Sequence, residues 1–317
     1  MADSQYILEV NNLCQHFSSG RGKKKLTVKA VDDVTFGVRP AETFGLVGES
    51  GCGKTTTGRT IIRLYDPTGG EVLFNGRDIA GKMNSDLRKY LTDNIAMIFQ
   101  DPIESLNPRM TIEEIVGEGL KIRGVTDPAE IRRRVVAMLK KVGLTEEHAT
   151  RYPHEFSGGQ RQRIGIARAI ITEPKLIIAD EPVSALDVSI QAQVINLLND
   201  LKEEMGLTIL FIAHNLSVVK YFSDRIGVMY YGKLVEVAKG DDLYKNPLHP
   251  YTKALLSAIP EPNPLTERTR QRVDYDPKRD HDYSQEQPSM VEVEEGHFVY
   301  CSPSELEKYK AQLAASN

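Results

Sequence analysis

The stretch Gly48-Glu49-Ser50-Gly51-Cys52-Gly53-Lys54-Thr55 decides how this chain is read. It fits the pattern GxxxxGK[ST], in which glycines let the backbone curl until several amide N–H groups point inward at phosphate oxygens. Just before it, residues 43–47 form an apolar run of strand length. Just after it, residues 54–65 can form a helix ended by Pro67, whose positive dipole end adds to the amides. In such a loop Lys54 supplies a point charge to the β- and γ-phosphates, and the Thr55 hydroxyl is a magnesium ligand. A chance glycine-rich turn would lack the strand before and the helix after. The expected nucleotide contacts are therefore Gly48, Glu49, Ser50, Gly51, Cys52, Gly53, Lys54, Thr55 and Thr56. Cys52 also lies near a helix N-terminus, a place that can lower a thiol's pKa, so a reactive thiol shielded by nucleotide is expected there.

Two more continuous apolar runs follow, at 176–179 and 208–213, with a helical stretch at 189–205 between them. Continuous apolar strands are what a parallel sheet covered on both faces requires, and the alternation reads as a βαβ core. The first run ends in Asp180 and Glu181. An acid at the carboxyl end of a parallel strand stands where ligands bind. Asp180 is expected to hold magnesium through water, and Glu181 to polarise the attacking water.

Farther out the pattern changes. Residues 6–10 and 30–38 alternate like β-strands on either side of a polar, basic loop at 18–25, and 71–74 followed by Asn75-Gly76 reads as a strand entering a hairpin turn. This is an antiparallel region. Residues from about 101 to 165 read as helical. Asp127, Pro128 and Glu130 form a helix start, Ile131, Val135, Met138, Leu139 and Val142 share one face, and Gly143 stops the helix. Arg132, Arg133 and Arg134 then make a solvated face. Residues 261–290 are rich in proline and charge and read as a loosely ordered linker, before a last helical piece at 304–315.

The 317 residues carry 40 basic and 44 acidic side chains, a net charge of −4, which argues against a protein built to coat nucleic acid. No apolar run approaches the roughly 18 to 20 residues that span a bilayer, and the first residues do not resemble a secretory signal. The expectation is a cytosolic chain that meets a membrane only through partners. Cys14, Cys52 and Cys301 are far apart, without metal-ligand spacing, and read as reduced thiols.

One segment narrows the family. Phe156-Ser157-Gly158-Gly159-Gln160, followed by a helical RQRIGIARAI, resembles the ABC signature LSGGQ, with phenylalanine where leucine is commonest. The remaining ABC elements stand in the family's order. Gln100 resembles the Q-loop glutamine, Ser184-Ala185-Leu186-Asp187 the D-loop, and His214 the switch histidine. Phe17 lies where an aromatic, more often tyrosine, stacks on adenine. The likeness covers about residues 6 to 260. It implies an α/β P-loop core with a mixed sheet, an antiparallel β subdomain and a helical subdomain, together an ABC nucleotide-binding domain over 1–245 with its helical part at about 101–165. Residues 246–317 would be a small, partly loose extension.

The resemblance also implies a mechanism. Two such subunits close head to tail and sandwich ATP between the P-loop of one and the signature of the other. Glu181 is then the general base or a water-orienting group, His214 contacts the γ-phosphate and positions the water, and Gln100 senses Mg²⁺ and the water. Ser157, Gly159 and Gln160 serve the partner's nucleotide, and Gly158 and Asp187 are further nucleotide-binding residues. A single cassette and a compact helical insert are unlike tandem soluble ABC proteins and chromosome-structure ATPases. DPIESLNPRMTI, YPHEFSGGQRQR and NPLHPYTKALLSAIP look like the oligopeptide and dipeptide permease ATPases. That branch implies a second ATPase subunit, two transmembrane permease subunits and, indirectly, an extracytoplasmic substrate-binding protein. Import of metal chelates or other small solutes, and a soluble ABC ATPase outside transport, remain alternatives. Many relatives carry a C-terminal cysteine cluster for an iron–sulfur centre; here Cys301 stands alone, so none is expected.

Overall fold

A computed structural model describes residues 5–20, 26–259 and 272–316. The described chain begins β1 (Leu8–Ser19), β2 (Leu26–Val38), β3 (Thr43–Val47), α1 (Lys54–Ile61), β4 (Gly69–Phe74), β5 (Arg77–Asp78), α2 (Ser85–Asn94), β6 (Ile95–Ile98) and α3 (Pro102–Ser105). It continues α4 (Ile112–Ile122), α5 (Pro128–Lys141), α6 (Gly158–Ile170), β7 (Leu176–Asp180), α7 (Val188–Met205), β8 (Thr208–Ala213) and α8 (Leu216–Val219). Then come β9 (Arg225–Tyr230), β10 (Lys233–Lys239), α9 (Gly240–Lys245), α10 (Pro250–Ser257), β11 (Ser289–Glu294), β12 (His297–Cys301) and a last helix, Pro303–Ser316. Part of the expected basic loop, at 21–25, and residues 260–271, which include the start of the expected linker at 261, lie outside the described residues.

Two sheets organise these elements. Among the described residues an antiparallel sheet has the order β2-β1-β4-β5, and a mixed sheet the order β11-β12-β10-β9-β3-β8-β7-β6. In the mixed sheet β9, β3, β8, β7 and β6 run parallel to one another, while β10 pairs antiparallel with β9 and with β12, and β12 antiparallel with β11. The central parallel strands are apolar throughout because alternate residues enter different cores. Phe44, Leu46, Ile178, Leu210 and Ile212 pack under the antiparallel sheet. Val47, Ile177, Ala179, Ile209 and Phe211 face the helices on the other side.

The helical region follows its local signals. Asp127 caps α5 by accepting from the Ala129 N–H at 3.0 Å, and Ile131, Val135, Met138 and Leu139 form its buried face. The outer arginines are solvated but paired: Arg133 and Arg134 with Glu130, Arg132 with Glu113. α1 is shorter than the sequence suggests. It ends at Ile61, and Arg63 turns into the left-handed region at φ 63°, sending its guanidinium to the carbonyls of Ile79 and Gly81. The hairpin β11–β12 is not legible as strands behind its charged, proline-rich approach. It extends the main sheet through Glu236↔Val299 and Val237↔Phe298.

Candidate active site

β3 ends at Val47, and the loop that follows is squeezed against neighbouring backbone. Gly48 has φ 150°, and a Cβ there would lie 2.2 Å from the Met229 carbonyl oxygen. Gly53, at φ 110°, would place one 2.1 Å from the carbonyl oxygen of Ala30. Only glycine permits this curl against β9 and β2. Lys54 is 3% exposed, and its Nζ donates to the carbonyl oxygens of Gly48 and Glu49, each at 2.8 Å. Its charge is therefore already inside the loop.

Cys52 departs from expectation. Its Sγ is buried behind the loop, 3.7 Å from Lys54 Nζ, and burial pushes the thiol pKa up despite the lowering pull of Lys54. Desolvation penalises the thiolate more than the neighbouring Lys54 charge supports it.

Asp180 closes β7 beside the start of α1. Its Oδ1 accepts from the Thr55 hydroxyl at 2.7 Å. Its Oδ2 is buried without a hydrogen-bond partner, 3.8 Å from the Arg59 guanidinium. Burial raises its pKa against the lowering effects of Thr55 and Arg59. An unsatisfied buried carboxylate oxygen is costly. With the Thr55 hydroxyl beside it, it suits a hard divalent cation, which takes oxygen ligands.

Glu181 follows at φ 46°, rare for a residue with a side chain and a strain of about 1–3 kcal/mol. Its N–H donates to the Ile212 carbonyl at 2.9 Å, which holds the turn. The reward is position. Glu181 Oε2 accepts from Gln100 Nε2 at 3.1 Å and lies 3.1 Å from His214 Nδ1. Gln100 follows β6 and His214 follows β8, the two neighbours of β7 in the sheet. Three adjacent strand ends thus gather residues that are far apart in sequence. They face a cleft of about 630 Å³ bounded also by Ser50, Glu104 and Ser184.

The signature residues are placed differently. Ser157 caps α6: its Oγ accepts from Gln160 N at 3.3 Å, and Gln160 Oε1 accepts from Ser157 N at 3.0 Å. Gly159 packs so closely on α7 that a Cβ would stand 2.6 Å from Ile190 Cγ2. Neither these residues nor Gly158 lines the cleft. Asp187 caps α7, and bonds from the Ser189 hydroxyl and Ile190 N–H hold its carboxyl below the usual range. Phe156 is buried against the His148 ring at 5.2 Å, so a large apolar residue is needed there. Phe17 is 40% exposed, with its ring edge-on to Tyr65 at 5.3 Å. Two residues of the site carry no readable local signal: Arg59, facing Asp180, and Tyr251, whose hydroxyl accepts from the Glu49 N–H at 3.1 Å.

A mixed sheet whose parallel strand ends face such a loop, flanked by an antiparallel sheet and a helical region, defines a P-loop nucleotide-binding cassette. Comparison with known proteins agrees. Residues 31–184 match the family described as ABC transporter, and residues 235–289 match the oligopeptide/dipeptide transporter C-terminal region. The chain is 58% identical over 307 residues to the oligopeptide transport ATP-binding protein OppF of Bacillus subtilis, spanning 96% of this chain and 99% of that one. It is 52% identical over 313 residues to the dipeptide transport ATP-binding protein DppF of Lactococcus lactis, spanning 98% of each. Among solved structures, a dimeric ATP-binding cassette in a post-hydrolysis state with ADP and Pi matches with a TM-score of 0.66 and 31% identity, over 73% of this chain and 98% of that one. The cassette cbiO1 of Clostridium perfringens matches with a TM-score of 0.67 and 27% identity, over 76% and 91%. The chain belongs to the ABC transporter family, among the ATP-binding proteins of oligopeptide and dipeptide transporters.

Proposed function

We propose that this chain is the ATP-hydrolysing subunit that powers import of dipeptides or oligopeptides, working at the cytoplasmic face of the membrane. The observation that carries the chemistry is the Glu181 carboxylate, held between Gln100 and His214 at the strand ends beside the P-loop. The loop at 48–53 and Lys54 bind the phosphates of ATP, with Thr56 at the start of the helix behind them, and Phe17 stacks on the adenine. Glu181 polarises and orients the attacking water, and His214 contacts the γ-phosphate and steadies the same water. Thr55, Asp180 and Gln100 would hold Mg²⁺, which when bound neutralises charge on the β- and γ-phosphate oxygens.

Ser157, Gly158, Gly159, Gln160 and Asp187 act across a head-to-tail interface on the nucleotide of a second ATPase subunit. That subunit is a different chain or a second copy. ATP at the interface stabilises the closed pair, and hydrolysis removes that stabilisation. Residues 1–245 form the nucleotide-binding domain and 246–317 the importer-type extension. Among the described residues no helix is long and apolar enough to cross a membrane. Two transmembrane permease subunits supply the path, and an extracytoplasmic binding protein delivers the peptide. The names of the relatives support this assignment.

Purification of the tagged chain from detergent-solubilised membranes, followed by mass spectrometry, tests it. Two multi-span proteins should co-elute, with or without another P-loop subunit. Ribosomal or nucleic-acid-binding proteins in their place would leave the ATPase chemistry standing and overturn transport.

A further inference from the structure

The bond from the Glu49 amide to the Tyr251 hydroxyl joins the P-loop to α10 across 202 positions of sequence. Tyr251 is 2% exposed, and its ring packs against Tyr230 at 4.4 Å and Tyr275 at 5.5 Å between centroids. Its own N–H donates to His249 Nδ1 at 3.1 Å. The start of α10 is fixed in turn by Glu236 of β10, a fully buried carboxylate. Glu236 Oε1 accepts from Leu248 N at 2.8 Å, and Oε2 accepts from His249 N at 3.0 Å. His297 Nε2, on β12, lies 2.8 Å from the same Oε1. A continuous set of buried polar contacts therefore runs from the C-terminal hairpin through β10 and α10 to the P-loop.

Glu49 is held on both sides. Tyr251 takes its N–H, while its carbonyl accepts from Lys54 Nζ at 2.8 Å and Cys52 N at 3.3 Å. The rest of the loop is rich in glycine, whose backbone has the most freedom to lose. Burial raises the Tyr251 pKa, so the phenol keeps its proton and its oxygen remains a neutral acceptor.

We propose that Tyr251 is a positioning residue of the P-loop: its hydroxyl fixes the Glu49 peptide, and with it the curl in which Lys54 and the following amides meet nucleotide phosphate. The folded C-terminal region thereby sets the affinity of this chain for ATP. Loss of the anchor lowers the fraction of chains with a competent loop, and apparent affinity falls by that fraction. The inference rests on the reading of this loop as the ATP site.

Tyr251→Phe keeps the ring packing and removes only the acceptor. The full chain, titrated with a fluorescent ATP analogue in the presence of magnesium, should then bind about 5-fold more weakly, the size of one neutral hydrogen bond. Glu49→Pro removes the donor, and in that background Tyr251→Phe should change affinity no further. A purely structural role for Tyr251 would persist beside Pro at 49. Unchanged affinity in Tyr251→Phe, a lowered melting temperature with unchanged affinity, or an undiminished effect in the Glu49→Pro background would each overturn the proposal. Lys54→Ala separates the two readings. If it binds the analogue as the parent chain does, the ATP site itself is wrongly placed. If it loses binding while Tyr251→Phe does not, only the role of Tyr251 falls.

Discussion

The P-loop half of the site and the signature half are built in opposite ways. Around the P-loop charge is buried and backbone is strained: Lys54 is enclosed, Asp180 keeps an oxygen without a hydrogen bond, and Glu181 sits at φ 46°. Around the signature, Ser157 and Gly158 are exposed, and Ser157 and Gln160 satisfy each other in a capping box. The first half sacrifices stability to be ready for a ligand inside this chain. The second is a capped helix start at the surface, seated on the buried Phe156 and packed through Gly159 against α7. The head-to-tail pairing proposed above, with the site shared between two chains, calls for that division.

Several substitutions break or sharpen the contrast. The largest effect belongs to Glu181→Gln. Hydrolysis should fall about 10²- to 10⁴-fold while ATP binding persists and the closed dimer accumulates on a sizing column. Near-normal phosphate release would remove Glu181 from its role. Next is Ser157→Ala. Hydrolysis by the assembled transporter should drop about 100-fold, as for other lost transition-state donors, while the isolated chain binds nucleotide with unchanged affinity. Weakened binding by the isolated chain would place the signature in the wrong half.

Asp180 tests the claim about stability. Its raised pKa means that the folded chain disfavours the ionised form. The stabilising contribution is present below the ordinary value of 3.8 and is lost as pH rises through the higher folded value. At neutral pH Asp180→Asn should therefore raise the melting temperature of the nucleotide-free chain by about 3 °C while ending hydrolysis. The gain should shrink as pH falls toward the ordinary carboxylate value. A lowered melting temperature at neutral pH would show that Thr55 and Arg59 outweigh burial. The smallest effect belongs to Asp187→Ala, which removes the cap on α7. It should lower the melting temperature by about 2 °C and leave nucleotide affinity of the single chain unchanged.

Much of this was legible in the sequence because it is written in contiguous residues. The P-loop with its strand and helix, the acidic end of β7, the Asn75-Gly76 turn with both residues at positive φ and the cap at Asp127 are all local. Their spacing acts through bonds and hydrogen bonds within a few residues, so no tertiary knowledge is required. Other features were not legible. The thiol of Cys52 needed its burial, which depends on β2 and β9 closing over the loop. The hairpin β11–β12 is short and follows a charged stretch, and its pairing partner on β10 is distant in the chain.

By itself, then, the sequence determined the class of chemistry, the order of the strands and helices around the P-loop, and which carboxylates end at the right edge of the sheet. Tertiary structure alone decided that Gln100 and His214 meet at one carboxylate oxygen of Glu181, that Asp180 keeps a buried oxygen without a hydrogen bond, and that Tyr251 reaches the P-loop. The physical reason is range. Patterning and capping are settled by neighbours along the chain, whereas burial, pKa and contacts between strand ends depend on which segments the two cores bring together.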